Sequence, residues 1–401
     1  MANVLYLVHR LPYPPNKGDK VRSFNLLRHL LRKHRVFLGT FLDDRKDRKY
    51  VRLLRAKCAE LHVAKLNPRW ARLRSVKGLL TGQPLTLPYY HDAGLQQWVD
   101  DICRREQIDA IVVFSSAMVQ YVENKRRQPL LIDFVDVDSA KWTQYATQHR
   151  WPMSWIYGRE GRLLLDYERR MAARAARSFL VTEAEVELFR QLAPECSVRV
   201  EAMCNGVDTH FFAPAAKHRS PFAGDGETVV FTGAMDYWPN IDAVTWFVKD
   251  MLPTLRRQRP RLRFYIVGRN PTPEVTALAG KNVVVTGTVH DIRPYLQHAD
   301  VVVAPLRVAR GIQNKILEAM AMARPVVAAA DCAAPVDATP GKELIVAGDA
   351  NEFVTVISDL LDDPETAAAI GKAARQRVID RYSWKAHMRQ VDPYLVTAIS
   401  Q

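Results

Sequence analysis

Short apolar runs rich in valine and isoleucine recur along the chain, and between them apolar positions fall three and four apart. The runs read as buried strands and the stretches between them as amphipathic helices. In the first half, Val4–Val8, Val36–Phe41, Leu61–Ala64, Ala110–Phe114, Leu130–Phe134 and Ser178–Val181 predict strands. Asp19–Lys33, Arg48–Glu60, Ala93–Glu106 and Trp155–Ala176 predict helices. The second half repeats the pattern with strands Val229–Thr232, Leu262–Val267, Val283–Thr286, Val301–Ala304, Val326–Ala329 and Leu344–Val346, and with helices Ile241–Arg257 and Ile292–Gln297. Strands alternating with helices imply parallel sheets covered on both faces. The expectation is therefore an α/β chain of two doubly wound units, the first over 1–212 and the second over 213–383. The turn-rich passage from Cys204-Asn205-Gly206-Val207-Asp208 to Gly224-Asp225-Gly226 joins them. In such sheets, ligands bind beyond the carboxyl ends of the strands.

One passage carries chemistry more clearly than the rest. The strand Asp300-Val301-Val302-Val303-Ala304 ends at Pro305, and a loop then leads to Gly311-Ile312-Gln313-Asn314. Lys315 to Ala323 holds strong helix formers with no breaker, Pro325 stops the helix, and Val326-Val327-Ala328-Ala329 is the next buried strand. A glycine at such a crossover lets backbone amides approach a ligand, and the helix N-terminus behind it favours an anion. Glu318, one turn into the helix, points back to the same place and can accept from sugar hydroxyls. A crossover with no ligand is the plain alternative.

This passage resembles the nucleotide-sugar loop of the retaining GT-B glycosyltransferases of the glycosyltransferase family 4 type. That motif has two glutamates separated by seven residues, followed by Ala-Met-Ala-x-Gly-x-Pro-Val-Val. Glu318 matches the second glutamate, which in the family holds the nucleotide ribose. Arg310 stands at the first glutamate and Ala323 at the glycine, and both are departures. The variant Arg-Gly-Ile-Gln-Asn-Lys-x-Leu-Glu-Ala-Met-Ala-Met is similar to a subgroup associated with exopolysaccharide loci that carry the exosortase (PEP-CTERM) system.

The resemblance implies two Rossmann-like domains facing an interdomain cleft, with a last helix, 384–401, crossing back to the first domain. It assigns Gly18, with Lys17 before it, to the loop after the first strand, where the family has Gly-Gly against the acceptor and the donor phosphates; a Pro-rich surface loop is the plain alternative. It assigns Gly233 and Gly268, with Arg269, to the first two strand ends of the second domain. Val289 and His290 fall in the loop that receives the base, and Gly311, Ile312 and Gln313 in the loop before Glu318. The family's Arg and Lys after Gly233 are replaced by Ala234 and the region of Trp238-Pro239-Asn240. Arg307, Arg310 and Lys315 are then either the cations that offset the diphosphate or a basic surface. Family members carry a histidine near the end of the strand at Leu131-Ile132-Asp133-Phe134, where this chain has Asp136 and Asp138. Those carboxylates either stabilise an oxocarbenium-like sugar and orient the acceptor, or, for Asp138, cap the following helix. Asp136, Asp138 and Lys17 are the candidate catalytic side chains.

Charge sharpens the choice of partner. The net charge is +14, and the first 80 residues hold twenty lysines and arginines against five carboxylates. The segment Lys20 to Lys33 sets Phe24, Leu27, Leu30 and Leu31 on one side, which suits a core-packed helix with a solvated basic face. Arg45 to Lys77, with Trp70 and Leu73 among arginines, suits an anionic membrane surface. No nucleic-acid fold signature accompanies it. The five scattered cysteines have no metal-type spacing and read as reduced thiols. No apolar run reaches the ~20 residues of a membrane span, and the first strand lacks the basic flank of a signal peptide. The expected location is the cytoplasm, with peripheral attachment at the inner face of the cytoplasmic membrane as an open possibility.

The resulting reading is a retaining glycosyltransferase, a hexosyltransferase in type. It moves a sugar from a nucleotide-sugar donor to a glycan or lipid-linked acceptor in exopolysaccharide biosynthesis, without metal or other cofactor. The alternatives are a non-catalytic nucleotide- or glycan-binding scaffold, favoured by the departure at Arg310, and a nucleotide-sugar 2-epimerase.

Overall fold

The structure, a computed structural model, describes residues 1–15, 18–125, 127–308 and 312–399. The chain divides into two compact units, residues 1–205 with 387–401 and residues 206–386. The expected boundary at 212 falls beyond the division because the linker packs on the second unit. Val207 bridges to Ser383, and the Val207 amide donates to Tyr382 O. Arg375 donates to the carbonyls of Thr209 and Phe212.

The first unit is a seven-stranded parallel sheet: β1 (Asn3–Val8), β2 (Arg35–Leu42), β3 (Glu60–Lys65), β4 (Ala110–Phe114), β5 (Leu130–Val135), β6 (Arg177–Leu180) and β7 (Val200–Ala202), in the order β3-β2-β1-β4-β5-β6-β7. The second is a six-stranded parallel sheet: β8 (Thr228–Thr232), β9 (Arg263–Val267), β10 (Val283–Gly287), β11 (Val301–Ala304), β12 (Val326–Ala329) and β13 (Ile345–Ala347), in the order β10-β9-β8-β11-β12-β13. Strand order reverses between β1 and β4 in one unit and between β8 and β11 in the other, so each sheet has a switch point. Residues of β1, β4, β8, β11 and β12 are buried along nearly their whole length, which is why these strands appear in the sequence as unbroken apolar runs. Each unit has its own apolar core.

Three expected elements differ. The helix expected over 48–60 is a 3-10 turn, Arg45–Tyr50, followed by a short helix, Val51–Arg55. A buried ion pair between Lys20 and Asp47 ties that turn to the helix Gly18–Leu31. The helix expected over 241–257 is split into Trp238–Trp246, a widened π turn at Phe247–Met251 and Leu252–Gln258. Pro253 supplies no amide to the preceding turn, and its ring would clash there with an α-helical carbonyl. The helix Gly18–Leu31 does not present a wholly solvated basic face, because Lys20 and Arg22 are buried.

Candidate functional site

In the second unit, an open pocket of about 690 Å³ lies at the carboxyl ends of the strands. Four successive chain passages line it: the turn after β8, the turn after β9, the loop after β10, and the helix Asn314–Ala321. Gly233, Gly268, Arg269, Val289, Ile312, Gln313, Lys315 and Glu318 all border it.

The two glycines are there for steric reasons. A Cβ on Gly268 would sit 1.6 Å from Gly233 O, and one on Gly233 would sit 2.7 Å from Asn240 Nδ2 and 3.2 Å from Lys315 Nζ. The turns after β8 and β9 are thus in backbone contact, and the Met235 amide donates to Arg269 O across them at 2.8 Å. Asn240, buried in the helix Trp238–Trp246, donates to Ala234 O at 2.8 Å and accepts from Lys315 Nζ. The Lys315 ammonium also lies 4.3 Å from the centre of the Phe231 ring. Burial pulls Lys315 down to about 8. Burial pushes Glu318 up to about 7, with Lys315 opposing the shift. A buried cation and a buried carboxylate bordering one pocket, beside a helix N-terminus, are chemically suited to a phosphate ester carrying hydroxyls.

The other described donor candidates do not line this pocket. Arg307 is paired with Asp242 and sits 5.2 Å from the Trp246 ring centre, so its charge is already engaged outside the pocket lining. His290 is exposed and is not among the lining residues. Gly18 begins its helix in the first unit, and a Cβ there would meet nothing within 4 Å, so sterics do not demand a glycine. Lys17, Arg310 and Gly311 lie outside the described residues.

The first unit carries a second cluster at its carboxyl edge. Val135, the last residue of β5, has φ 71°, and Ser115, just after β4, has φ 79°. A β-branched residue in the left-handed region is a genuine outlier, and such strain gathers at functional sites. Asp136 and Asp138 follow, both bridged by Lys141 Nζ at 2.6 and 3.3 Å. Asp138 is the first residue of the helix Asp138–Gln148, and the capping position is Val137. The capping role weighed for Asp138 therefore does not apply, because the residue sits one position too far along. Burial raises its pKa, with Lys141 opposing. Ser139 Oγ donates to the buried Glu168 at 2.6 Å, and burial pushes that carboxyl up to about 8.

Sequence reasoning missed His9 and Asn240. No histidine lies at the end of β5, but His9, just past β1, stacks on Phe114 at 5.7 Å, contacts Asp19 at 3.5 Å and acts electrostatically on Asp138. Its place directly after the first strand was the available signal. Asn240, in the region where the resembling family has a cation, carries no charge and instead holds Lys315.

Residues 226–363 match the family described as Glycosyl transferases group 1. The chain is 31% identical over 210 residues to the GDP-mannose-dependent alpha-(1-6)-phosphatidylinositol monomannoside mannosyltransferase of Mycolicibacterium smegmatis, a match covering 47% of this chain and 54% of that protein. It is 33% identical over 147 residues to the sulfoquinovosyl transferase SQD2 of Arabidopsis thaliana, covering 34% and 28% of the two chains. The matched part thus spans about half or less of these curated relatives. Among solved structures, Anabaena Alr3699/HepE in complex with UDP has a similar fold, with a TM-score of 0.62 at 16% identity, over 98% of this chain and 100% of that one. Residues 226–363, in the second unit, are thus similar to a group 1 glycosyltransferase domain, and the two parallel α/β sheets have GT-B-like structural neighbours.

Proposed function

We propose that the protein is a retaining glycosyltransferase that takes a sugar from a nucleotide-sugar donor held in the second unit's pocket. The observation that carries this reading is the constellation of Gly233, Gly268, Lys315 and Glu318 around one pocket at the strand ends. Lys315 and the N-terminus of the helix Asn314–Ala321 face the diphosphate, and Arg269 on the pocket rim supplies a second positive charge. Two cations offset the roughly two negative charges of a diphosphate diester. Glu318 accepts from the ribose hydroxyls.

In the reaction, the bond between the anomeric carbon and the diphosphate oxygen breaks as the pair of electrons goes to the phosphate. Lys315 stabilises that developing charge and so lowers the barrier to an oxocarbenium-like sugar. The acceptor oxygen bonds to the same face of the anomeric carbon, which retains configuration, and its proton passes to the departing phosphate. This route needs neither a strong protein base nor a metal. Asp136 and Asp138, with His9 beside them, are the acceptor-side groups, and their strained setting at Val135 supports that role.

The acceptor we propose is lipid-linked, in exopolysaccharide assembly of the exosortase-associated type, at the inner face of the cytoplasmic membrane. The Mycolicibacterium relative is named for a phosphatidylinositol mannoside acceptor, which supports a lipid. Among the described residues, no helix is long and apolar enough to cross a membrane. The test is calorimetry and nucleotide release with UDP-, GDP-, ADP- and dTDP-sugars. Selective binding of one donor with slow release of its nucleotide is expected. Binding of none would sink the reading, and binding without turnover on any lipid-linked acceptor would favour a scaffold.

A further inference from the structure

The cations of the basic stretch are not equivalent. Lys20 and Arg22 are buried and neutralised by Asp47 and Asp133. Arg45, Arg48, Lys65, Arg69 and Arg72 instead line a separate pocket of about 900 Å³ at the carboxyl ends of β2 and β3. One carboxylate, Asp43, shares the lining, and its Oδ2 pairs with Arg10 at 3.1 Å; of the two that follow, Asp47 is taken by Lys20 and Asp44 caps the Arg45–Tyr50 turn. Among the described residues, none of the five lining cations forms an ion pair. Five cations thus face a single lining carboxylate, Asp43, and an incoming anion relieves the repulsion that this excess leaves.

The helix Pro68–Ser75, which borders this pocket, is mounted with its apolar side outward. Ala71 is buried, and Arg74 donates to the carbonyls of Pro88 and Tyr89 at 3.0 and 3.1 Å, fixing the inner face. Trp70 is 71% exposed and Leu73 64%, one helical turn apart, and Val76 follows at 53%. A soluble helix buries its apolar stripe. Here the stripe faces away from the core while arginines of the same helix line a cationic pocket. Apolar side chains beside unpaired cations suit the boundary between lipid tails and phosphate headgroups. An acidic glycan or nucleic acid would use the charges but would leave Trp70, Leu73 and Val76 in water.

We infer that this surface docks the protein on an anionic phospholipid membrane. The Arg45–Arg48–Lys65–Arg69–Arg72 pocket receives headgroup phosphate, and Trp70, Leu73 and Val76 enter the apolar boundary. The inference deepens the lipid-linked reading above, since an enzyme held by this face meets its acceptor where the lipid lies.

The experiment is sedimentation of the full chain with phosphatidylcholine vesicles, with and without phosphatidylglycerol, across a salt series. Three variants are compared with the wild type: the triple Arg48→Gln/Arg69→Gln/Arg72→Gln, the pair Trp70→Ala/Leu73→Ala, and Lys315→Met. The substituted residues in the first two lie on the surface, so folding is retained. The wild type binds only vesicles with phosphatidylglycerol, and salt weakens the binding. The triple variant binds about a hundredfold more weakly at low salt, taking roughly fivefold per cation near an anionic surface. The Trp70/Leu73 pair loses the part of the binding that survives high salt. Equal binding to neutral vesicles, or a triple variant that binds like the wild type, would overturn the inference. So would heparin binding as tight as vesicle binding together with an indifferent Trp70/Leu73 pair, which would point to an acidic glycan. Nucleotide calorimetry on the same preparations separates the two proposals. The surface variants keep donor binding, while Lys315→Met loses donor binding and keeps vesicle binding.

Discussion

Lys315 Nζ donates to Asn240 Oδ1, joining the helix after β11 to the helix after β8 across the pocket we propose for the donor. The amide acceptor holds the ammonium in place without neutralising it, so the full positive charge remains for a phosphate. Replacing Lys315 with Met removes the charge at nearly constant volume. Affinity for nucleoside diphosphates should fall about 10- to 100-fold, the usual worth of a charged hydrogen bond, with little effect on binding of the bare nucleoside. Asn240→Ala should cost less, about five- to tenfold, because Lys315 keeps its charge and loses only its orientation. Calorimetry with diphosphate and nucleoside ligands separates the two effects.

Donor affinity should pass through a maximum near neutral to mildly alkaline pH. Lys315, lowered by burial to about 8, gives up its proton above that value and with it the attraction for phosphate. Glu318, raised by burial to about 7, is protonated below it and accepts ribose hydroxyls less well. Affinity should therefore drop about tenfold per unit on the far side of each limb. The stability of the free protein follows the opposite logic. Glu318 holds extra protons in the fold between 4.5 and 7, so its contribution declines as pH rises through that window. Lys315 holds fewer between 8 and 10.5, so its contribution grows there as pH rises. Affinity that is flat from pH 6 to 9 would rule out both assignments.

The glycines of the pocket should separate folding from binding. Gly268→Ala places a methyl 1.6 Å from a backbone oxygen that cannot move aside without opening the β8–β9 turn contact. A loss of about 3 kcal/mol is expected, at the severe end of overpacking, read from a urea midpoint. Gly233→Ala meets mainly the Asn240 amide at 2.7 Å. That side chain can rotate and release Lys315, so the fold should survive and donor binding weaken about tenfold.

Ala323 stands where the resembling family has glycine, and its φ is 57°. It follows the C-terminus of the helix Asn314–Ala321 in the left-handed conformation that glycine adopts without penalty. The Cβ costs about 1–2 kcal/mol there, and a glycine would return part of that as unfolded-state entropy. Ala323→Gly should raise stability by about 0.5–1 kcal/mol, seen as a higher melting temperature with unchanged donor affinity.

The parts of the fold that could be read from sequence are those written locally. β4, β11 and β12 have the bounds that their apolar runs predict, because a strand buried on both faces has no polar position to blur its edges. β7, three residues reading Val-Glu-Ala, carries too short a pattern to register. The donor pocket was legible to the extent that glycine turns and the Glu318 helix are local signals. Its cation was not settled by sequence, since Lys315, Arg307 and Arg310 are equivalent in charge. Only Asp242, which occupies Arg307, and Asn240, which holds Lys315, distinguish two of them. The same limit applied to the helix Gly18–Leu31: the partners of Lys20 and Arg22 lie 27 and 111 residues away.

Arg22 and Asp133 give the first unit its sharpest test of buried charge. The guanidinium meets the carboxylate through two bonds, at 2.8 and 2.9 Å, and both side chains are about 1% exposed. A third arm reaches Met203 O at 2.6 Å and Asn205 Oδ1 at 3.2 Å, so one arginine ties the helix after β1 to β5 and to the end of the unit's sheet chain. Desolvation still outweighs the arginine, and the Asp133 pKa is raised. Removing one partner leaves a charge in the core with nothing to offset it, which typically costs about 3–5 kcal/mol. Arg22→Met should therefore lower the unfolding free energy by that amount, read as a lower urea midpoint. Arg22→Met/Asp133→Leu should recover most of the loss, because an apolar pair removes the stranded charge along with the attraction. Recovery will fall short by about 1 kcal/mol for the Met203 carbonyl left without its donor. If the double variant is as unstable as Arg22→Met alone, the arginine's chief contribution is its grip on Met203 and Asn205 rather than its pairing with Asp133.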